Sequence, residues 1–251
     1  MLVHAAVYEG KAKRVRISDD GLAEIEFKDD VTAGNGKKHA VFLGKVTLCC
    51  RMSELLLAYL QQSGTPTHFL RRTADNQLTV RRVEIIPLEV VVRFEVAGSL
   101  QKRTGLPYRA RCEPPVYELY YKRDDLGDPL LNEHHVRLLN LATTDELRTI
   151  RELALSAATK LHSLLLQAQL ALLELKFEMG RSDSALLLAD EISPDTCRLR
   201  DLASGEVLDK DVFRNDLAEL LPAYREVLCR LEKLPALRSL GLSPNSGGKE
   251  S

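Results

Sequence analysis

The stretch Leu173–Arg200 constrains this chain more than any other. Glu174, Lys176 and Glu178 alternate with Leu175, Phe177 and Met179. A side-chain period of two makes this a strand with one apolar face and one face carrying acid, base, acid. Gly180–Ser184 supplies a hairpin turn, and Ala185–Ala189 an apolar return strand that ends in Asp190. A turn centred on Ser182 sets residue 174 opposite residue 190 and puts Asp190 on the polar face, whereas a slip of one residue puts it on the other side. A buried strand ending in Asp190-Glu191 is suited to holding Mg2+, which takes carboxylate oxygens together with phosphates. The same pattern also fits an ordinary half-exposed hairpin with cross-strand ion pairs.

Such a hairpin needs a body to pack on, and the chain is long enough to provide one. At 251 residues, 45% apolar and 28% charged, it has the composition of a globular protein with one large domain or two intimate lobes. Its 35 Lys+Arg against 36 Asp+Glu leave a net charge of −1, which removes the global electrostatic case for a nucleic-acid or membrane partner. Tryptophan is absent and aromatics are 5%, so the core must be aliphatic. The five cysteines, Cys49, Cys50, Cys112, Cys197 and Cys229, are odd in number and lack paired spacing. They are expected to be buried small hydrophobes in a reducing compartment rather than a disulfide framework or metal motif. The N-terminus lacks a signal-peptide pattern, and no apolar run approaches bilayer length. The cytoplasm is the expected location.

Residues 1–86 read as a β-rich first lobe. Ala5–Tyr8, Lys13–Ile17, Leu22–Phe27, Thr67–Leu70 and Leu78–Ile86 are its strands, and a helix over Val46–Tyr59 ends at Gly64. Asp29–Lys38, with two glycines and no periodicity, is expected as a loop, with Lys37-Lys38 either on a flap or in a linker. Residues 87–234 form the second lobe. Leu88–Phe94 is a continuous apolar run suited to a central strand, and Val116–Tyr121 is another strand. Thr143 and Glu146 form a capping box ahead of a helix striped by Leu147, Ile150, Ala154, Ala157, Leu161 and Leu164. In the last helix, Leu217–Leu231, Pro222 either kinks the helix or marks its true start. Residues 235–251 turn rich in Gly, Ser and Pro and are expected to form a tail, disordered from Ser243.

A second constellation lies in Tyr8-Glu9-Gly10-Lys11-Ala12-Lys13. On an extended segment Lys11 and Lys13 point the same way, and Gly10 lets the backbone approach a ligand closely. That arrangement suits a polyphosphate, and equally a solvated surface hairpin. Arg93, followed by Ala97-Gly98-Ser99, can bind a phosphate through guanidinium, hydroxyl and backbone N–H groups, or be a strand-to-helix turn capped by Ser99.

Taken in order, YEGKAK, FKDD-x-TAG-x-GKK, PLEVVVR-x-x-x-AGSL-x-KR-x-G and LADEISPDTCRL-x-D resemble the SAICAR synthetase family of purine biosynthesis, from about Tyr8 to about Leu231. The resemblance implies an α+β fold of two lobes, a small kinase- or ATP-grasp-like β-sheet lobe against a larger α/β lobe. It implies an ATP-dependent ligase that joins L-aspartate to the carboxylate of CAIR through an acyl phosphate, with Mg2+ required. Carried over by position, Lys11 and Lys13 lie along the ATP phosphates with Gly10 in the covering loop. Lys176 bridges phosphate and carboxylate oxygens, Glu178 faces the ribose or the metal, and Asp190 holds Mg2+. Arg93, Ser99 and Arg198 bind the CAIR phosphate, with Asp195 supporting that pocket and Glu174 beside it. Val83–Ile86, with Val83 and Ile85, is the adenine hinge.

Phe94, Glu174 and Arg200 depart from the family pattern, which has Asn, Asp and Trp there, and Phe94 is expected either at the CAIR pocket or in the core. Lys122, Arg123 and Asp128 are the candidates for the aspartate site, and His134-His135 are expected in a loop. The implied partners are three small molecules, with no nucleic acid or membrane, in a homo-oligomer of two or more subunits. The competing expectations are a kinase-like phosphotransferase and a non-catalytic nucleotide-binding paralogue.

Overall fold

The computed structural model describes residues 4–33, 38–183 and 185–243. Strands β1 (His4–Glu9), β2 (Lys13–Ser18) and β3 (Leu22–Phe27) follow one another as antiparallel hairpins. With β6 (Phe69–Ala74) and β7 (Gln77–Arg81) they form a five-stranded sheet in the order β1-β2-β3-β7-β6. Period-two burial gives this sheet its packed face: Ala23, Ile25, Phe27, Leu78 and Val80 are all buried. Helix α1 (Lys45–Gln62) covers it with Cys49, Met52, Leu56 and Leu60.

The larger sheet has β8 (Glu84–Glu95) and β11 (Leu170–Arg181) at its centre. It runs β10 (Leu130–Leu131), β9 (Arg111–Tyr121), β8, β11, β12 (Leu186–Ala189), with β13 (Cys197–Asp201) also paired to β11. Leu88, Val90 and Val92 of β8 and Leu175, Phe177 and Met179 of β11 are buried on one face, against helix α4 (Thr144–Gln167). The expected stripe supplies the helix side of that core, and each fully buried leucine contributes about 1.5–3 kcal/mol. The capping box forms as expected: the Thr143 hydroxyl accepts from the Glu146 N–H at 3.2 Å, and the Glu146 carboxylate accepts from the Thr143 N–H at 2.8 Å. The other face of this sheet carries the charged residues of β8, β9 and β11 and looks into a cleft.

Several local expectations change. Asp29–Lys38 is not a plain loop: Asp30–Ala33 (β4) and Lys38–Val41 (β5) pair as a two-stranded hairpin, while Lys37 lies outside the described residues. The strand expected from Thr67 begins at Phe69, and Thr67 instead bridges to Leu188 of β12. Leu78–Ile86 is two strands, interrupted at Arg82-Val83. Pro87 is tolerated inside β8 because the pairing shifts there. Glu178 pairs Glu89 but Gly180 pairs Ile85, so three β8 residues face Met179 alone and the missing proline N–H falls in the irregularity. Helix α6 (Leu220–Lys233) has Pro222 as its third residue, so the proline marks the start, where an N–H has no partner within the helix.

Asn132 caps the short helix α3 (Glu133–Leu138), so His134 and His135 sit in a first helical turn and not a loop. The segment after residue 234 is ordered as far as Ser243. Helix α7 (Pro235–Arg238) buries Leu237, and the Leu242 and Ser243 carbonyls accept from Arg51, with Arg72 adding a second bond to Ser243. The expected disorder of residues 244–251 falls outside the described residues. All five cysteines are free; Cys49, Cys50 and Cys197 are buried as expected, but Cys229 is exposed. Among the described residues, no helix is long and apolar enough to cross a membrane.

Candidate active site

A cleft of about 730 Å³ lies between the two sheets. At one end it is apolar, lined by Val15, Ile17, Ala23, Ile25, Val80, Val83 and Ile85; at the other it is charged, with Lys11, Lys13, Lys176, Glu178 and Asp190. Gly10–Lys13 is not the extended segment that places two ammoniums side by side. It is a tight turn closing the β1–β2 hairpin, in which the Gly10 N–H donates to the Lys13 carbonyl at 2.8 Å. Lys11 and Lys13 therefore diverge. Lys11 reaches Asp124 at 2.7 Å, on a 3-10 turn (Asp124–Leu126) of the other lobe. Lys13 is bound to Asp190, and its ammonium lies 3.1 Å from Glu191.

The acid, base, acid face of β11 holds the centre of the cleft. Glu178 pairs directly with Glu89 of β8, and like charges so placed destabilise a sheet unless each finds a cation. Lys176 takes Glu89 at 2.5 Å, and Lys122 takes Glu178 at 2.6 Å. Burial, reinforced by Asp190, pushes the Glu178 carboxyl up in spite of three nearby lysines. Burial works against the Lys176 charge as well, but Glu89 and Glu178 outweigh it and hold the ammonium protonated.

Asp190 reaches this face by a route the alternation alone does not give. Glu178 pairs Ala189, so the register sets position 190 against Phe177, on the core side, and Glu174 lies opposite Arg198 and Arg93 instead of residue 190. Asp190 escapes the core because its φ is 66°, a left-handed conformation that turns its side chain back into the cleft. Such strain in a non-glycine residue persists only where its surroundings fix it. Here the buried His68 ring donates from Nε2 to the Asp190 carbonyl at 3.1 Å, and Lys13 holds the carboxylate. Burial opposes the Asp190 charge, yet Lys13, with Lys122 and Lys176 beyond it, brings the carboxyl down to about 2.

A second pocket of about 340 Å³ opens beside the cleft. Arg93 is its floor, donating to Glu118 at 2.8 Å, to the Ser99 hydroxyl at 2.9 Å and to Tyr120 at 3.1 Å, with Glu174 also bound. Ser99 is not a helix cap, since the N-cap of α2 (Gly98–Thr104) is Ala97 and no side chain caps it. Arg198 donates to Glu174 at 2.8 Å and to Asp211, and its guanidinium lies against Gly98, where a Cβ would come within 2.8 Å. Asp195, from the Ser193-Pro194-Asp195 turn, binds Lys45 at 2.7 Å and the Tyr224 hydroxyl at 2.6 Å. Burial disfavours its charge too, but Lys45 and Lys210 hold the carboxyl at about 2. Phe94 is absent from this pocket: it points to the α4 side and stacks on His162, ring centroids 4.2 Å apart. Arg200 lies behind the pocket, buried with Asp209, Asp211 and the Tyr108 hydroxyl.

The two pockets are continuous. Lys176, Glu89, Asp128, Asp195, Lys210 and Arg214 line both. Of the residues proposed for the aspartate site, Asp128 is at this junction and Lys122 lines the cleft, whereas Arg123 pairs with Asp125 and lines neither. Glu89, Tyr120, Lys210 and Arg214 also line these pockets and Glu118 braces Arg93, and no sequence motif marks any of the five. Glu89, Glu118 and Tyr120 alternate with apolar residues in PLEVVVR and VYELYY, a period-two signal hidden by treating Leu88–Phe94 as uniformly apolar. Lys210 precedes and Arg214 ends the short helix α5 (Asp211–Arg214), whose sequence carries no motif. Among the described residues, one trio of metal-ligand type, Cys49, Glu191 and Asp195, has its ligand atoms within 4.8 Å. Lys45 is bound in its midst, and burial pushes the Cys49 thiol well up, so that group is better satisfied as an ion-paired core than as a cation site.

Comparison with known proteins agrees with this geometry. A family profile for SAICAR synthetase matches residues 6–231. The phosphoribosylaminoimidazole-succinocarboxamide synthase of Anoxybacillus flavithermus is 49% identical over 227 residues, covering 90% of this chain and 95% of that protein. A solved SAICAR synthetase in complex with ADP superposes with a TM-score of 0.88 at 43% identity, over 90% of this chain and 97% of the other. The corresponding enzyme from Ehrlichia chaffeensis gives a TM-score of 0.87 at 36% identity, covering 91% and 98%. The two sheets, the cleft between them and the sequence that builds both are those of one family: this chain belongs to the SAICAR synthetases.

Proposed function

We propose that the chain condenses CAIR with L-aspartate, converting ATP to ADP and phosphate, and that its two pockets divide the work. The apolar end of the cleft receives the adenine, against Val83, Ile85 and the strands of the small sheet, and the phosphates extend toward Lys11, Lys13 and Lys176. The second pocket receives CAIR, its phosphate on Arg93, Ser99 and Arg198. The observation that carries this reading is that Lys176 lines both pockets. A carboxylate is a poor acylating agent because its leaving group would be oxide, so its oxygen must first accept the γ-phosphoryl group. The aspartate amine then attacks the carbonyl carbon, and inorganic phosphate departs. Catalysis of this kind is mainly alignment and neutralisation of charge. Lys176, held protonated by Glu89 and Glu178, sits where phosphoryl and carboxylate oxygens meet, and Lys210 and Arg214 add charge from α5.

Two carboxylates that line the charged end of the cleft, Glu178 and Asp190, are close enough for Asp190 to raise the Glu178 carboxyl, and such a pair suits a hard divalent cation. We assign Mg2+ to them. Bound there with the nucleotide, it would neutralise phosphate charge. Lys13 is the cation that Asp190 holds. Free, largely buried cysteines fit a reducing cytoplasm; a homo-oligomer completes the proposal, with the two lobes expected to divide at residue 86 parting a little earlier, at Arg82-Val83 between β7 and β8. ADP release tests it: release should require CAIR and L-aspartate together. ADP formed with CAIR alone, at an undiminished steady rate, would instead indicate a phosphotransferase.

A further inference from the structure

We propose that Gly180 is a positioning residue that sets the depth of the adenine end of the cleft by letting Val83 pack directly on β11. The inference rests on the reading of that cleft as the nucleotide site. Gly180 continues the row Glu174, Lys176, Glu178 on the cleft-facing side of β11, and it alone in that row carries no side chain. A glycine inside a strand is costly and usually marks the close approach of another group. Here the group is the linker that joins the two sheets. A Cβ on Gly180 would lie 2.4 Å from Val83 Cγ2, 2.6 Å from Val83 Cβ and 3.4 Å from the Glu84 carbonyl oxygen. Rotation about χ1 moves Cγ2, at a cost in a β-branched side chain, but it leaves Cβ in place, and Cβ alone, at 2.6 Å, is closer than real Cβ contacts come. An added methyl group must therefore move the linker itself.

That linker is short. β7 ends at Arg81, β8 begins at Glu84, and Gly180 pairs with Ile85 directly beyond it. Val83 and Ile85 both line the cleft, so a displaced linker carries two of its apolar walls with it. The backbone of Gly180 has no positive φ, so alanine there meets no conformational penalty of its own and the packing effect is isolated. The CAIR pocket lies at the other end of β11, around Glu174, and shares no atom of this contact.

Isothermal titration of ADP and steady-state kinetics on the full chain test the proposal. Gly180→Ala should weaken ADP and raise the KM for ATP by about tenfold or more, with the KM for CAIR within about twofold of wild type. In a Val83→Gly background, where both clashing atoms are gone, the same Gly180→Ala change should cost no more than about threefold in ADP affinity. Equal losses in the two backgrounds, or a KM for CAIR that rises alongside that for ATP, would overturn it. If Gly180→Ala is insoluble, the double variant must fold and bind ADP nearly as well as Val83→Gly alone, and its failure would equally overturn the proposal. Lys13→Met separates this from the reading beneath it. Loss of ADP binding in Lys13→Met but not in Gly180→Ala refutes only the role of Gly180, whereas normal binding in both refutes the cleft as the nucleotide site.

Discussion

Lys13 and Asp190 are 177 residues apart in the chain and bind each other across the cleft. The pair joins the first turn of the small sheet to the end of the central hairpin of the large one, and each partner is mostly shielded from water. A carboxylate so placed needs a counter-charge. Lysine supplies it, and in the proposed mechanism Mg2+ shares the task once nucleotide arrives. Asp190→Asn should accordingly abolish most Mg2+-dependent ATP binding and leave the fold intact. Nucleotide titrations with and without Mg2+, beside far-UV circular dichroism, check this, and unchanged Mg2+ dependence would refute the assignment.

Lys176→Met should spare ATP binding but slow turnover by on the order of 10²–10³, the loss typical of one preorganised contact to developing charge. The substitution also leaves Glu89 and Glu178 paired without a lysine between them, so Glu89→Gln in the same chain should recover stability but not rate. Single-turnover measurements distinguish the two effects. A near-normal rate in Lys176→Met would remove this strand from the mechanism.

Arg198→Ala should weaken CAIR far more than ATP. The lost charge-assisted contact is worth roughly 1.5–3 kcal/mol, and Glu174 in the pocket and the buried Asp211 behind it are left without that partner. Equal increases in the two KM values would count against the phosphate assignment.

Phe94→Asn should lower stability by about 1–3 kcal/mol through loss of the His162 stack and of buried area, with no change in the KM for CAIR. Chemical denaturation and steady-state kinetics read the two quantities separately. A shift in CAIR affinity without loss of stability would place the side chain back at the pocket.

Burial pushes the His68 imidazole down to about 4, against 6.5 for an ordinary histidine. Between those values the unfolded chain binds the proton and the folded chain does not, so stability is complete above about pH 6.5 and falls as pH drops toward 4. The loss is on the order of 3 kcal/mol. His68→Gln keeps an amide donor for the Asp190 carbonyl but cannot titrate, so its stability curve should be flatter over this interval. Parallel curves for the two proteins would show that the ring is not buried neutral.

Much of this arrangement was legible because period and chemistry coincide. The alternation in β11 marked its two faces, the capping box marked the start of α4, and the four ordered motifs marked the family. What escaped was conformation at single residues. Alternation places Asp190 on the polar face only with a register three residues from the observed one, an odd slip that exchanges the faces, and the left-handed backbone that turns the side chain back is not marked by the aspartate itself. Lys11 and Lys13 resembled an extended pair because a hairpin turn and a strand end share the same letters. Phe94 follows a cleft-facing arginine on a strand and so faces the opposite side, where His162, brought in by α4, is what it meets. Lys210 and Arg214 are brought in by tertiary packing of a four-residue helix that no local pattern announces.

The two faces of β11 also restrict how this enzyme can change over time. Core and chemistry share one strand at alternate positions, so any substitution touches one or the other, but deletion of a single residue between Glu174 and Glu178 exchanges them. Lysine and glutamates would then turn toward α4, and leucine and phenylalanine toward the substrates. Descendants of this sequence can therefore exchange one apolar letter of the strand for another, while the spacing of its letters is fixed for as long as the reaction is selected.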